Sequence, residues 1–329
     1  MLRAMASIKK TELTINSKTG KETEVTIDSI KQSFRGQLEL PIQRELIKDR
    51  NADKGGRSFY FFDFDDNVAF LSTAAFIFHK KTGAELKLTS AEWAQVHRDV
   101  GKSGPYADYA IDLCNINGTF RSFRDQDQAV LEQLIMKRQM FIEDLAGALG
   151  YPDFQWKGPS WSCFYHATLN QRPVSVITAR GHSRETIRAG VRLMVDAQHL
   201  PQEPNYLSIY PVTNPTVRAE LGDFSPETSV ADLKRAAIRA SVERAIAVYG
   251  HSPHHRFGMS DDDPHNIELI VKEMSELKKR FPEMSFFVIE TQQGRFVKWE
   301  VFEDRTEATL CARNQEIAIL EQLTLLPPY

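Results

Sequence analysis

The chain has 329 residues, of which 42% are hydrophobic and 26% are charged, and its formal net charge is −3. This composition is that of an ordinary soluble globular protein, with enough residues for one large domain or two smaller ones. The small negative charge gives no electrostatic basis for binding nucleic acid or an anionic membrane.

The apolar segments are short. The most apolar run, residues 68–78, is far shorter than a membrane span, and the first ten residues lack the apolar core of a secretory signal. The three cysteines, Cys114, Cys163 and Cys311, do not have the spacing of a metal site, which is typical of reduced thiols. We therefore predict a cytoplasmic protein.

Residues 1–56 are polar and are predicted to be an N-terminal extension. Strands over 12–15 and 24–27, with a turn near 18–21, are predicted to form a hairpin. The extension ends in a linker-like stretch over 51–56. Nothing in this segment indicates a second catalytic domain, and its role stays open.

Four aromatic residues at 59–62 then run directly into Asp63, Asp65 and Asp66. The aromatic run suits a buried strand, and closely spaced carboxylates repel one another unless a cation lies beside them. Asp63 and Asp65 are two residues apart, so their side chains point the same way if the extended path continues. On this segment alone, a plain acidic turn and a Mg²⁺ site are equally good interpretations.

The rest of the chain alternates helices and strands. The predicted helices cover 69–81, 126–149, 160–169, 183–198, 230–249 and 264–280, and the predicted strands cover 174–178, 256–259, 284–290 and 295–302. The looser stretch 200–226 is predicted to be a second small insertion at the rim. Strands alternating with helices of these lengths predict an α/β fold with a parallel sheet and helices on both faces.

Polar residues follow three of the predicted strands: the acids after 59–62, Thr178, and Asp261 with Asp262. The carboxyl ends of parallel strands line one crevice. Carboxylates from two strands and a hydroxyl from a third would make a site of hard oxygen ligands, which Mg²⁺ prefers.

These segments resemble three motifs of the haloacid dehalogenase superfamily. The sequence from Asp63 to Val68 is similar to its first motif, 176–181 to the second, and 257–262 to the fourth, in the right order over about residues 57–292. Asn67 stands where the family usually has threonine. Lys234 is the best candidate for the third motif, a lone cation, and Arg235 is the alternative.

The resemblance implies a mechanism and a ligand set. Asp63 would be the nucleophile and Asp65 the acid and base, while Thr178 and Lys234 would hold the phosphoryl group. Mg²⁺ would be bound by Asp63, the backbone carbonyl of Asp65, and Asp261, with Asp262 binding directly or through water. Ala179, Arg180 and Asn67 are the implied substrate-binding residues. The acid at position 65 favours phosphate-ester hydrolysis over dehalogenation.

The resemblance also implies a domain plan. A three-layer, Rossmann-like α/β/α core would be formed by 57–83 and 158–303, with an inserted, mostly helical cap over 84–157 and a tail over 304–329. The cap would close over the site. The resulting prediction is a Mg²⁺-dependent phosphatase acting on a small phosphorylated metabolite. A phosphotransferase, a nucleic-acid end-processing phosphatase and a non-catalytic binding protein stay open as alternatives, and the sequence does not address the oligomeric state.

Overall fold

The computed structural model describes residues 46–114, 116–127, 138–224, 228–291, 297–302 and 311–312. These residues form an α/β fold around a mostly parallel seven-stranded sheet, which confirms the predicted fold class. The predicted hairpin within 12–27 lies outside the described residues, as does most of the predicted tail. Within the tail, Cys311 and Ala312 form a short strand that pairs with β9 at the edge of the sheet.

In spatial order the sheet consists of β10 (Cys311–Ala312), β9 (Val297–Val301), β8 (Ser285–Glu290), β7 (Arg256–Asp261), β1 (Ser58–Phe62), β5 (Pro173–Thr178) and β6 (Asn205–Pro211). Neighbouring strands from β8 to β6 are parallel, whereas β9 and β10 are antiparallel to their neighbours. The first of the described strands, β1, therefore lies inside the sheet, with β5 on one side and β7 on the other.

The described α-helices are α1 (Ser90–Val96), α2 (Met140–Ala148), α3 (Asp153–Trp156), α4 (Trp161–Leu169), α5 (Arg184–Asp196), α6 (Pro215–Glu220), α7 (Val230–Tyr249) and α8 (Pro264–Arg280). Side chains alternate along β1, so its aromatic residues divide between two cores. Phe59 and Phe61 pack in the core that includes α7 and α8. Phe62 packs in the core that includes α2, α4 and α5. Both faces of β1 are thus buried, as the continuous aromatic run predicts.

Most elements after residue 160 agree with their predictions to within a few residues, but the stretch 200–226 does not. It is no insertion, because it contains β6, which pairs in parallel with β5. Prolines are tolerated at the ends of an edge strand, and here Pro204 precedes β6 and Pro211 ends it. The proline content of the segment therefore hid a strand of the main sheet.

The inserted region, residues 70–157, is mixed and not mostly helical in its described part. Strands β2 (Ala74–His79), β3 (Glu85–Thr89) and β4 (Tyr109–Ala110) form a separate antiparallel sheet in the order β3-β2-β4. The predicted helix over 69–81 is wrong, because its apolar residues are those of β2. Gly83, at a φ of +69°, lies in the turn that lets β3 fold back on β2.

The predicted helix over 126–149 is not continuous in the structure. Among its described residues, 140–148 are helical, whereas Gln126 and Gln139 are not, and residues 128–137 lie outside the description. The side-chain amide of Gln139 donates to the backbone carbonyl of Gln126 and accepts from its N–H. These contacts satisfy backbone groups that a continuous helix would have paired internally.

The segment before β1 is not a linker. It contains a short 3₁₀ turn over Ala52–Lys54, and the Asn51 side chain donates to the carbonyl of His254 at 2.9 Å. A Cβ atom at Gly56 would lie 2.3 Å from that same carbonyl oxygen, so only glycine fits this approach.

The contact between α2 and α5 depends on a glycine. A Cβ atom at Gly190 would lie 2.4 Å from the ring of Phe141, while one at Gly147 would meet no atom within 4 Å. We expect Gly190→Ala to lower the free energy of unfolding by about 1–3 kcal/mol, because the added methyl overpacks the core. The matched control Gly147→Ala should raise it by up to about 1 kcal/mol, since alanine favours a helix. Chemical denaturation of both variants measures the difference, and a stabilised Gly190→Ala would contradict this packing.

Candidate active site

The predicted acids meet where the strand order of the sheet reverses. The chain passes from β1 outward through β5 and β6, then crosses back to β7 on the other side of β1. In open α/β sheets a crevice forms at such a point, outside the carboxyl ends of the strands. Asp63 follows β1 and donates its N–H to the carbonyl of Ser260 at 3.0 Å, which places it beside Asp261 at the end of β7.

Three of the predicted residues form one acidic cluster. Asp63, Asp261 and Asp262 each offer a carboxylate oxygen, and these oxygens lie within 4.8 Å of one another. Asp63 and Asp261 are buried, whereas Asp262 is partly exposed. The structure therefore brings together carboxylates that are about two hundred residues apart in the chain.

Lys234, from the first turns of α7, supplies the positive charge. Its Nζ atom lies 2.7 Å from Oδ2 of Asp261 and 3.2 Å from Oδ1 of Asp63, and the side chain is buried. Arg235 points elsewhere and pairs with Glu273 and Asp232. Of the two cations proposed for the third motif, Lys234 is the one in contact with the acids.

Burial controls the proton affinities in the cluster. Desolvation, reinforced by Asp261 and Asp262 and opposed by Lys234, raises the pKa of Asp63 well above its usual range. Desolvation and the neighbouring Asp261 raise the pKa of Asp262 to about 7. Burial alone would lower the pKa of Lys234, but Asp261 and Asp63 outweigh it and raise that pKa above its usual value. The Lys234 ammonium therefore stays charged, but its single positive charge does not balance the three carboxylates of the cluster.

The cluster fits a divalent cation. Three carboxylates and one ammonium leave an excess of two negative charges when all are ionised. Oδ1 of Asp63 is buried and has no hydrogen-bond partner among the described residues, although the Lys234 ammonium is nearby. Hard oxygen ligands with spare lone pairs are those that Mg²⁺ or Ca²⁺ takes, so the donor set does not by itself select one ion.

Asp65 lies beside the cluster, held by an arginine. Arg180 donates from Nε to Oδ2 of Asp65 at 2.8 Å and from Nη2 to Oδ1 at 2.6 Å. Oγ1 of Thr178 also lies 3.4 Å from Oδ2. Arg180 is wholly buried, so in this structure it contacts Asp65 and is not placed to bind substrate as predicted. Ala179, which lies between Thr178 and Arg180 in the chain, is exposed and remains accessible to a ligand.

The Asn67 side chain forms hydrogen bonds within the protein and is not a substrate contact. It is wholly buried, and its side-chain nitrogen donates to the Asp63 carbonyl at 3.0 Å and to Oγ of Ser260 at 2.8 Å. Its side-chain oxygen accepts from Thr291, which also donates to the carbonyl of Asp261. This amide therefore ties the loop after β1 to the ends of β7 and β8. Neither Thr291 nor Ser260 was predicted to support the site. Ser260 lies in the segment that resembles the fourth motif, whereas Thr291 follows β8, where no site residue was predicted.

The inserted region leaves and re-enters the core beside the site. At this base Gly158 and Ser160 donate to the carbonyls of Val68 and Asn67 at 2.9 and 2.8 Å. Away from the base, Gly181 donates to the carbonyl of Phe123, within the insertion, at 2.8 Å. The insertion is thus joined to the core at its base and, through Phe123, to the loop after β5.

No protein-family model matches the chain, and the comparisons with curated proteins and with solved structures found no match either. Among the described helices none has the length and apolar character that a membrane crossing requires.

The raised pKa of Asp262 predicts how stability depends on pH when no divalent cation is present. Folding raises this pKa from 3.8 to about 7, so the stabilising contribution is complete below about pH 4 and is lost as the pH rises through 7. We expect wild type in EDTA to lose unfolding free energy relative to Asp262→Asn over that range, because asparagine cannot ionise. Denaturant titrations of both proteins at pH 4 to 8 measure the difference.

A divalent cation should reverse this trend. Because the ion favours the ionised carboxylates, Mg²⁺ should raise the melting temperature more at pH 8 than at pH 5, and less in Asp262→Asn than in wild type. A wild type that gains stability over Asp262→Asn with rising pH in EDTA would contradict the desolvated state of this carboxylate.

Proposed function

We propose that the protein is a Mg²⁺-dependent phosphatase of the haloacid dehalogenase superfamily, with a three-layer, Rossmann-like core. It would hydrolyse a phosphate monoester through an aspartyl-phosphate on Asp63. The observation that carries this proposal is the single cluster of Asp63, Asp261, Asp262 and Lys234 at the reversal point of the sheet. Along the chain, Asp63 follows β1, Lys234 lies in α7, and Asp261 and Asp262 lie at the end of β7, which is the order of the first, third and fourth motifs.

Asp63 and Asp65, the two acids of the first motif, have different roles in the two steps of the proposed reaction. A carboxylate oxygen of Asp63 attacks phosphorus and the bond to the ester oxygen breaks, while Asp65 gives a proton to that leaving oxygen. Asp65 then removes a proton from water, which attacks phosphorus and frees Asp63. Inorganic phosphate and the alcohol are the products, and Asp65 returns to its starting protonation state.

The buried charges fit this chemistry. Asp63 must be ionised to attack, and Lys234 lies close enough to stabilise that form. Asp63, Asp261 and Asp262 would hold the Mg²⁺ ion, which would act as a Lewis acid on the phosphoryl group. The N–H groups near Ala179, at the end of β5, would hold phosphoryl oxygens together with Lys234. Thr178 would support this loop, since its hydroxyl is buried against Asp65.

The substrate class within this proposal remains a small phosphorylated metabolite. The net charge of −3 and the acidic cluster give no support to a nucleic-acid end as substrate. The buried carboxylates of Asp63 and Asp261, with the partly exposed Asp262 beside them, are unfavourable unless they hold a cation, which supports a metal-dependent function.

Phosphate release tests the proposal directly. Wild type with Mg²⁺ should hydrolyse p-nitrophenyl phosphate and members of a panel of phosphorylated metabolites. Asp63→Asn should lower kcat by about 10³-fold or more, because no nucleophile remains, and EDTA should abolish turnover. Asp66→Asn is the matched control, since it removes a neighbouring acid and asparagine tolerates the φ of +56° at that position. It should retain most of the activity.

The covalent step has its own test. In Asp65→Asn the water attack lacks its base, so intact-protein mass spectrometry after mixing with p-nitrophenyl phosphate should detect a phosphorylated protein. The adduct should be missing in the double variant with Asp63→Asn. The proposal fails if wild type releases no phosphate from any ester, or if Asp63→Asn is as active as wild type.

A further inference from the structure

The contact between Arg180 and Asp65 fixes the direction of a carboxylate. Each oxygen of Asp65 accepts a hydrogen bond from a different nitrogen of the guanidinium, at 2.8 and 2.6 Å. Such a two-pronged contact holds the carboxylate plane as well as its position, because the donors of arginine form a rigid planar fork. The Asp65 side chain is about one-fifth exposed, so it stays reachable from the crevice.

Arg180 is in turn held by the inserted region. Its guanidinium carbon lies 5.1 Å from the centre of the Phe123 ring and 4.7 Å from that of Phe141. Nη2 also donates to Oγ1 of Thr73 at 2.6 Å, and the Thr73 hydroxyl is hydrogen-bonded to Asp144 of α2. Every one of these contacts comes from residues 70–157, whereas Arg180 and Asp65 belong to the loops that follow β5 and β1.

Stability alone does not account for this arrangement. Burying a guanidinium is expensive, and a buried ion pair is often no more stabilising than apolar side chains of the same volume. Arg180 is wholly buried, and its Nη1 has no hydrogen-bond partner among the described residues. What an apolar substitute could not provide is a defined orientation for Asp65.

We infer that Arg180 is a positioning residue that aims the Asp65 carboxylate at the crevice, and that Thr73 of the inserted region holds Arg180 in place. In this orientation Oδ2 of Asp65 lies 3.4 Å from Oγ1 of Thr178, at the end of β5, beside the loop where the phosphoryl group is proposed to bind. The docking of the inserted region and the proton transfer by Asp65 are then linked. This inference rests on the proposed phosphatase function.

Thr73→Val is the most selective test, because valine keeps the shape of threonine and removes the hydroxyl. We compare kcat/KM for an alkyl ester, glycerol phosphate, with that for p-nitrophenyl phosphate, whose phenolate leaves without a proton. Thr73→Val should lower the value for glycerol phosphate by about tenfold and leave that for p-nitrophenyl phosphate nearly unchanged. Thr73→Ser, which keeps the hydroxyl, should behave as wild type on both esters.

A double-mutant cycle separates positioning from a general structural effect. When Asp65 is already replaced, in Asp65→Asn, adding Thr73→Val should cause no further loss on glycerol phosphate. Arg180→Lys, which keeps the charge and loses the fork, should show the same preference for the aryl ester. Equal losses on both esters, losses that multiply with that of Asp65→Asn, or a faster Thr73→Val would each overturn the inference.

The two proposals fail in different ways. If wild type hydrolyses both esters and Thr73→Val is not selective, the phosphatase stands and the positioning role of Arg180 is wrong. If wild type hydrolyses neither ester, the proposed phosphatase function is wrong. The link between Thr73 and Asp65 is then tested by the free energies of unfolding of Thr73→Val, Asp65→Asn and the variant that carries both substitutions. If both substitutions together lower the free energy of unfolding by less than the sum of the single effects, the link through Arg180 is supported, and if the effects add, it is overturned.

Discussion

Lys234 places a positive charge between two carboxylates where water has little access. Without it, the carboxylates of Asp63 and Asp261 would face each other without compensation in a low-dielectric environment, which is unfavourable for charged groups. This contact depends on the fold. Because β1 lies beside β7 in the sheet, Asp63 lies beside the end of β7, and the packing of α7 against the sheet brings Lys234 to Asp63 and Asp261. Even so, one ammonium does not balance three acids, and that imbalance is the basis for assigning a cation to the site.

Patterns that report burial predicted the core well. The continuous β-branched run of β5 is buried along its whole length, and the long amphipathic segments became α7 and α8. The prediction for residues 69–81 failed because a short, continuous apolar run does not by periodicity distinguish a buried strand from a segment of a buried helix. For residues 74–79, the pairing with β3 selects the strand. Such pairing depends on residues elsewhere in the chain and cannot be predicted from the segment alone, and the same holds for the edge strand β6.

The acids and the lysine of the site could be found from the sequence because each follows a recognisable strand or opens a helix. The roles of the polar residues around them could not. Asn67 and Arg180 occupy positions where a ligand contact is a natural expectation, yet both are wholly buried and use their donors on the protein. Their partners, Thr291 for Asn67 and Thr73 for Arg180, come from segments far away in the chain. Only the three-dimensional structure shows that these donors already form hydrogen bonds within the protein.

The double anchoring of the inserted region bears on how the site would be reached. A cap joined to its core by one flexible neck can swing as a rigid body, and such swings often limit turnover. Here the base of the insertion lies beside Asn67, and a second attachment joins Phe123 of the insertion to Gly181 of the core. A rigid-body swing about the base would have to break the hydrogen bond between Phe123 and Gly181. We therefore expect the inserted region to keep its place during turnover, and a ligand to be selected by the surface that this region presents to the site.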